Sequence, residues 1–454
     1  AAGSGMRFEK ATNFCPKPLI EVAGVPLIVR TIQTAQKAGI HRFTIVTGYQ
    51  AEVFERFLKQ KTLPNTEVHC VRNEQWQRAN GLSVLKARDA VQEPFLLLMA
   101  DHLFEERIIS RVLASPLPPG HCRLAVDFNP GSVFDLEDAT KVHVVDGCIL
   151  DIGKNLTTYN GVDTGIFLCS RALFEALDTA VSGGAEALSD GVRELARERR
   201  MQAVDVGELF WQDVDNAKDL EQGEKRLLRN LVSETDSWLT RHINRIISLG
   251  VTRRLARTGV KPNHITLFNF ALGLMAAAFM LQGTHAGFVL ASSLFLLSSI
   301  LDGCDGEIAR LTFQESRMGA WLDVITDNIT HLALFTCMTI GLIRWSGSII
   351  YIIPGALLLG GCLCSVLMSF IAHKRLGRDR GLIFSGSRLQ EVATSGQQKR
   401  LAGWLDRFAN RDFAYLLFAV ACINRPGWFL WIAGIGASVF GFLFYRTLSR
   451  SGDT

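Results

Sequence analysis

The ten cysteines include no CxxC pair and show no metal-ligand spacing. Free thiols in a reducing cytosol are therefore expected, and a cysteine-based metal site is not. Net charge is scarce too, at +4 over 454 residues. No basic stripe is interleaved with aromatics, so nucleic acid is not an expected partner. No signal peptide is expected ahead of the first half. These averages hide an uneven chain. Charged residues concentrate before about Arg257, while the remainder holds several apolar runs near the ~20 residues that cross a bilayer. At 454 residues the chain exceeds one core, so two domains or more are expected.

Acids interrupt the apolar half. Asp302-Gly303-Cys304-Asp305-Gly306-Glu307-Ile308-Ala309-Arg310 is followed by Gly319-Ala320-Trp321-Leu322-Asp323-Val324-Ile325-Thr326-Asp327. A carboxylate at the bilayer centre costs roughly 2.5–3.5 kcal/mol on insertion scales, so four aspartates need compensation. On two helices, Asp302 and Asp305 (i, i+3) share one face and Asp323 and Asp327 (i, i+4) share another. Gly306, Ala309 and Gly319 leave room for close approach of backbone or ligand. Converging oxygen donors suit hard divalent ions, Mg²⁺ or Mn²⁺, which bind phosphate oxygens at their open positions. Neutralisation by Arg310 and Arg317 alone would leave the number of acids and the glycines unexplained.

The spacing D-x2-D-G-x2-A-R-x8-G-x3-D-x3-D is matched at every fixed position, and through it this half resembles the CDP-alcohol phosphotransferase family. The resemblance implies two divalent ions held by Asp302, Asp305 and Asp323, with Asp327 beside them taking the acceptor's proton. It also implies that Gly306, Arg310 and Gly319 contact a CDP-alcohol. Pro262-Asn263-His264-Ile265-Thr266 is similar to a P-N-x-x-T segment of that family, which adds Asn263 and Thr266 to the nucleotide contacts.

The charged half alternates strand and helix signals, as an α/β domain does. Ala1-Ala2-Gly3-Ser4-Gly5-Met6-Arg7 is a glycine-rich turn of the kind whose N–H groups approach phosphates, and Pro16-Lys17-Pro18-Leu19 holds a lysine between two prolines. Pro26 to Ala38 has helical spacing, and Phe43 to Thr47 reads as a strand. Phe95 to Ala100 is a continuous apolar run, read as a buried strand that delivers Asp101 and His102 to its carboxyl end, where open α/β sheets bind ligands. Asn80-Gly81-Leu82-Ser83 opens a helix. The partner of Asp101 is sought in Trp211-Gln212-Asp213-Val214-Asp215-Asn216.

These segments resemble the A-A-G-x-G-x-R…P-K-P-L signature of sugar-phosphate nucleotidyltransferases. That family has a strand leading into the glycine loop, and its absence here leads us to expect a sheet short of one central strand. N-G-x-S, A-D-H, I-G-K and D-T-G are similar to CTP:inositol-1-phosphate cytidylyltransferases. The resemblance implies Lys17 and Arg7 as catalytic cations and Gly3 and Gly5 as phosphate contacts. Asn80, Gly81 and Ser83 would face the base, with a plain helix start as the alternative. Asp101 and Asp215 would hold at least one Mg²⁺, with Asp213 as alternate. Lys141, Lys154 and Asp163 would bind the polyol phosphate, although each lysine could equally be solvated surface.

Between the halves, Trp238, Leu239, Ile243, Ile246 and Ile247 form an apolar stripe, and Arg241, Arg245, Arg253, Arg254 and Arg257 suit an anionic membrane surface. A simple interdomain helix fits as well. Six spans are expected, at about 264–282, 287–309, 319–342, 348–372, 412–424 and 427–446. The basic stretch from His373 to Arg411, against nearly uncharged connections elsewhere, places both termini and both sites on the cytoplasmic side.

The expected fold is an α/β nucleotidyltransferase domain, Rossmann-like with a mostly parallel sheet (1–217), then a helical linker (218–260) and an all-α six-helix transmembrane domain (261–454). Over nearly the whole chain the pair resembles the bifunctional family that fuses an inositol-1-phosphate cytidylyltransferase to a di-myo-inositol-phosphate-phosphate synthase. CTP, inositol-1-phosphate or a similar polyol phosphate, and a CDP-alcohol are then the ligands, with Lys374 and Arg375 near the acceptor phosphate, and a homodimer is expected. A lipid-alcohol acceptor stays open at this point, as does a lone transferase with a regulatory soluble domain.

Overall fold

The computed structural model describes residues 1–3, 16–133, 135–232, 236–376 and 412–450. They form two compact units, Ala1–Leu227 and Leu228–Thr454. Gly5, Arg7 and most of the basic stretch named above lie outside the described residues.

In the first unit, β1 (Glu21–Val22) and β2 (Val25–Pro26) form a hairpin, and β3 (Arg42–Thr47) pairs in parallel with β4 (Glu67–Arg72). The remaining strands are β5 (Phe95–Leu98), β6 (His102–Phe104), β7 (Cys122–Asp127), β8 (Lys141–Val145), β9 (Cys148–Gly153), β10 (Gly161–Cys169), β11 (Met201–Asp205) and β12 (Trp211–Asp213). The main sheet has the order β5-β10-β7-β11-β9-β8. It is mixed rather than mostly parallel: β7 and β11 run parallel, while β10 is antiparallel to β5, β7 and β8. One cause is local. Asp146 and Gly147 both have positive φ, 51° and 74°, and this tight turn folds β8 directly back onto β9.

Helices α1 (Leu27–Lys37), α2 (Ala51–Gln60), α3 (Asn80–Lys86), α4 (Glu106–Leu113), α5 (Ala172–Ser182), α6 (Leu188–Arg197) and α7 (Ala217–Arg229) complete this unit. The core lies between the main sheet and its covering helices, with Leu124, Ile149, Leu177 and Val192 fully buried. Expected as linker, α7 instead packs into the unit: Gln212 Nε2 donates to the carbonyl of Asp219 at 2.8 Å, and Gly223 sits against Leu103. A cavity of about 1510 Å³ is lined by residues of both β3 and β5, among them Thr44, Val46, Phe95 and Leu97.

In the second unit, α8 (Arg245–Leu255) precedes α9 (Pro262–Met280), α10 (His285–Leu301), α11 (Gly303–Leu311), α12 (Arg317–Ser346), α13 (Ile352–Leu376), α14 (Phe413–Cys422) and α15 (Pro426–Arg450). Asp302 is the single turn residue between α10 and α11. Three helical stretches, Pro262–Met280, His285–Leu311 and Arg317–Ser346, are long and apolar enough to cross a membrane. Their outer faces expose Leu267, Phe268, Met275, Leu290, Leu297 and Ile329, a surface suited to lipid rather than water. The chain is a membrane protein.

Close helix contact depends on small residues. A Cβ at Gly273 would collide with Thr330, and one at Gly341 with the carbonyl of Met280, so α9 and α12 approach to backbone distance. Trp238 ahead of α8, and Ile246 and Ile247 in its first turn, are exposed, as the apolar stripe requires. Arg245, expected on a membrane-facing basic surface, is instead turned inward, because Asp236 and Glu307 offer its guanidinium two carboxylates.

Candidate active sites

The membrane-unit site is assembled at the starts of α9 and α12 and along α11. Asp302, Asp323 and Asp327 each bring one carboxylate oxygen within 4.8 Å of the other two. The i, i+4 pair comes from α12, which is capped by Ser316, whose hydroxyl accepts from Gly319 N at 3.0 Å. Asp305 sits one turn along from Asp302, accepting from the Thr266 hydroxyl at 2.6 Å and from Gly306 N. Arg310 folds back over Gly306, its Nη1 3.3 Å from where a Cβ would be. Gly319 faces Asn263, whose Oδ1 would lie 3.1 Å from a Cβ at 319. The fold therefore gathers Asn263, Thr266, Asp302, Asp305, Gly306, Arg310, Gly319, Asp323 and Asp327 from separate stretches of chain.

Asn269, which the sequence reading passed over, belongs here as well. Its Nδ2 donates to Asp302 at 3.2 Å, while its buried Oδ1 has no protein partner. It lines a cavity of about 20 Å³ with Ser298, Ser299, Asp302, Asp327 and His331, large enough for one water. Three oxygens in mutual reach, with an unpartnered buried acceptor beside them, fit a hard divalent cation. Lys374 and Arg375 fall in the last turn of α13.

In the first unit, Lys17 Nζ lies between Asp101, whose Oδ2 accepts at 2.6 Å, and the carboxylate of Asp215. The chain reaches this point through three local features. Pro16 and Pro18 hold the turn around Lys17, β5 delivers Asp101, and Asp219 Oδ2 accepts from the amides of Asp215 and Asn216, both at 2.9 Å, fixing the loop before α7. Asp215 rather than Asp213 meets the lysine. Burial works to raise the pKa of Asp101, but the His102 hydrogen bond and the Lys17 ammonium outweigh it and hold the carboxyl well below its usual range. Burial likewise opposes the charge on Lys17, and Asp101 and Asp215 raise its pKa all the same.

His102 is a second residue that sequence reasoning left without a role. Its Nδ1 lies 2.9 Å from Asp101, and its ring packs where a Cβ on Gly165 would be, which requires glycine there, as does φ of +74°. Asp163, whose Oδ1 accepts from Gly165 N at 2.7 Å, is pushed up to about 6 by burial. Lys141 Nζ is held by the carbonyl of Lys154 at 2.9 Å, and Lys154 Nζ pairs with Asp138 at 2.7 Å. Gly3, Lys17, Asn80, Ser83 and Asp101 all line the large cavity.

Gly81 does not line that cavity. A Cβ there would collide with the carbonyl of Glu186, and Asn80 Oδ1 accepts from Leu188 N at 2.9 Å, so the start of α3 is packed against the start of α6. Gly81→Ala is expected to cost about 1–3 kcal/mol by overpacking. Thermal unfolding should show this loss, while CTP affinity of the folded fraction stays within twofold. A large affinity loss without destabilisation would mark Gly81 as a nucleotide contact.

Residues 1–201 match the MobA-like NTP transferase domain, and residues 260–397 match the CDP-alcohol phosphatidyltransferase domain. A bifunctional IPC transferase and DIPP synthase of Rubrobacter xylanophilus is 34% identical, over 75% of this chain and 76% of that protein. The chain belongs to this bifunctional family. A relative of the same name from Thermococcus kodakarensis is 30% identical over 93% of this chain and 90% of its own length. Among solved structures, the inositol-1-phosphate CTP transferase of T. maritima is similar at 24% identity and a TM-score of 0.44, covering 50% of this chain and 94% of that one. The chain is thus an enzyme joining a nucleotidyltransferase to a CDP-alcohol phosphotransferase, two families that generally use divalent metals.

Proposed function

We propose that the chain makes and then consumes a CDP-activated polyol. The first unit converts CTP and inositol-1-phosphate to CDP-inositol and pyrophosphate. The second transfers the phosphoinositol group of CDP-inositol to a second inositol-1-phosphate and releases CMP. The observation that carries this reading is the presence of both constellations in one chain, Lys17 with Asp101 and Asp215 and then Asp302, Asp323 and Asp327, along which relatives named for two activities align.

In the first reaction a phosphomonoester oxygen attacks the α-phosphorus of CTP and the bond to pyrophosphate breaks. Lys17 neutralises charge developing on the phosphates, with Arg7 as its expected partner. Asp101 and Asp215 would hold at least one divalent ion, and Asp302, Asp305, Asp323 and Asp327 would hold two, which would supply charge neutralisation at the phosphate oxygens. In the second reaction Asp327 takes the proton of the acceptor hydroxyl as its oxygen bonds to phosphorus and the bond to CMP breaks. Arg310 pairs with nucleotide phosphate in the space left by Gly306 and Gly319.

The same reading has six spans, adding the shorter apolar helices Ile349–Cys364, Phe413–Cys422 and Pro426–Phe440 to the three long ones. Both sites then face the cytoplasm, supported by the Lys- and Arg-rich stretch after α13. At that end Lys374 and Arg375 are assigned to the acceptor phosphate. Lys374→Ala or Arg375→Ala should raise the KM for inositol-1-phosphate several-fold and leave that for CDP-inositol unchanged, as loss of ground-state binding does. The reading as a whole is tested by incubating purified protein with CTP, Mg²⁺ and inositol-1-phosphate and following the products by phosphorus NMR. Pyrophosphate, CMP and a new phosphodiester are expected. A chloroform-soluble product formed from CDP-inositol and lipid, with no reaction on inositol-1-phosphate, would replace this acceptor with a lipid.

A further inference from the structure

Glu307 lies two residues beyond Asp305 but on the opposite side of α11. Its side chain is fully buried, at 0% exposure, and it accepts from three groups on one stripe of α8: Arg245 Nη1 at 2.6 Å, Ser248 Oγ at 2.7 Å and Thr252 Oγ1 at 2.6 Å. The Arg245 guanidinium is held from its other edge by Asp236, Nε to Oδ2 at 2.7 Å and Nη2 to Oδ1 at 3.2 Å. It also lies against the backbone of Gly303, where a Cβ would be only 3.0 Å from Nη1. Cys304 Sγ adds a contact to the carbonyl of Ser248 at 3.6 Å.

The other face of α11 carries Asp305, bonded to Thr266, and the preceding turn carries Asp302, bonded to Asn269. Short α11 is therefore gripped on both sides, by α8 through Glu307 and by α9 through the site aspartates. A buried carboxylate with three donors has few alternative placements, since any shift of α11 by a fraction of its pitch would strand a charge.

We infer that Glu307 is a positioning residue of the phosphotransfer site: through Arg245, Ser248 and Thr252 it fixes the rotation and depth of α11, and so aims Asp302 and Asp305 at the Asp323–Asp327 pair. This rests on the reading of those aspartates as divalent-ion ligands. A residue that acts on ligand geometry should change metal affinity more than substrate affinity, and orienting residues behind metal ligands typically shift it 10–100-fold.

The test uses the full-length protein with Glu307→Gln, which keeps the shape and loses the charge. Mn²⁺ binding, read by electron paramagnetic resonance, is expected to weaken about tenfold or more at the membrane-unit site. The Mg²⁺ concentration for half-maximal CMP release should rise in parallel, with the KM for the CDP-alcohol at saturating Mg²⁺ changed less than threefold. Pyrophosphate release by the other unit should be unaltered. Thr252→Val, which removes one donor and leaves the ion pair, should move both metal readouts in the same direction by a smaller factor, and it serves if Glu307→Gln does not fold. Unchanged Mn²⁺ affinity in a folded variant overturns the inference. Wild-type protein that binds no Mn²⁺ and releases no CMP would instead overturn the underlying reading of the site.

Discussion

Asp302→Asn is expected to lower CMP release by at least 10²–10³-fold, the scale for removing one electrostatic contact to a transferring group, while pyrophosphate release continues. Asp302 contributes one of three oxygens lying within 4.8 Å of one another, and its second partner is the Asn269 amide, so the amide of asparagine would replace an anionic donor with a neutral one at the centre of the cluster. Asp327→Asn should lose a similar or larger factor, about 10²–10⁴-fold for a general base, but by another route. Its CDP-alcohol affinity should stay near that of the parent, whereas Asp302→Asn should bind the nucleotide weakly. The comparison is demanding because Asp327 also brings an oxygen into the cluster. Equal loss of CDP-alcohol affinity in the two variants, measured by titration calorimetry at fixed Mg²⁺, would leave Asp327 a metal ligand only and send the search for the base elsewhere.

Lys17→Ala is expected to stop pyrophosphate release, by about 10²–10³-fold or more, and to leave CMP release from supplied CDP-inositol intact. The lysine sits between Asp101 and Asp215, so its removal takes a cation from the phosphates and also leaves two carboxylates facing each other without their shared partner. Asp101→Ala should fall in the same assay, with a different accompaniment: it frees Lys17 from one carboxylate and removes the acceptor of His102. Both variants should retain the membrane-unit activity, because the two constellations lie in separate compact units. Joint loss of both activities in folded protein would contradict the assignment of one reaction to each unit.

Glu307 and the aspartates around it show how differently sequence and structure speak. Asp302, Asp305, Asp323 and Asp327 were legible because charge in an apolar run is costly and because i, i+3 and i, i+4 spacings fix which residues share a helix face. Lys17 and Asp101 were legible for a similar local reason, a lysine between prolines and an acid at the end of an apolar strand. Glu307 occupies the same run, and its i, i+2 spacing turns it to the other side of the helix from Asp305, but nothing in the sequence says which side chains meet it there. Arg245 misled for a related reason: an arginine in a basic amphipathic stretch reads as surface, and only the proximity of Asp236 and Glu307 turns it inward.

By itself the sequence determined the two-part chain, the α/β and all-α characters of its halves, the approximate places of its long apolar helices, and the four aspartates that break the apolar half. Each depends on neighbours within a turn or two, where backbone geometry and solvation are set by the residues themselves. Tertiary structure alone decided the mixed sheet order, the preference of Lys17 for Asp215 over Asp213, the packing role of Gly81 beside Glu186, the entry of Asn269 and His102 into the two sites, and the inward turn of Arg245 toward Glu307. These partners are separated by as many as 198 residues along the chain, as Lys17 and Asp215 are. Such pairings are fixed by which surfaces pack together, a property of the whole fold that no local pattern contains.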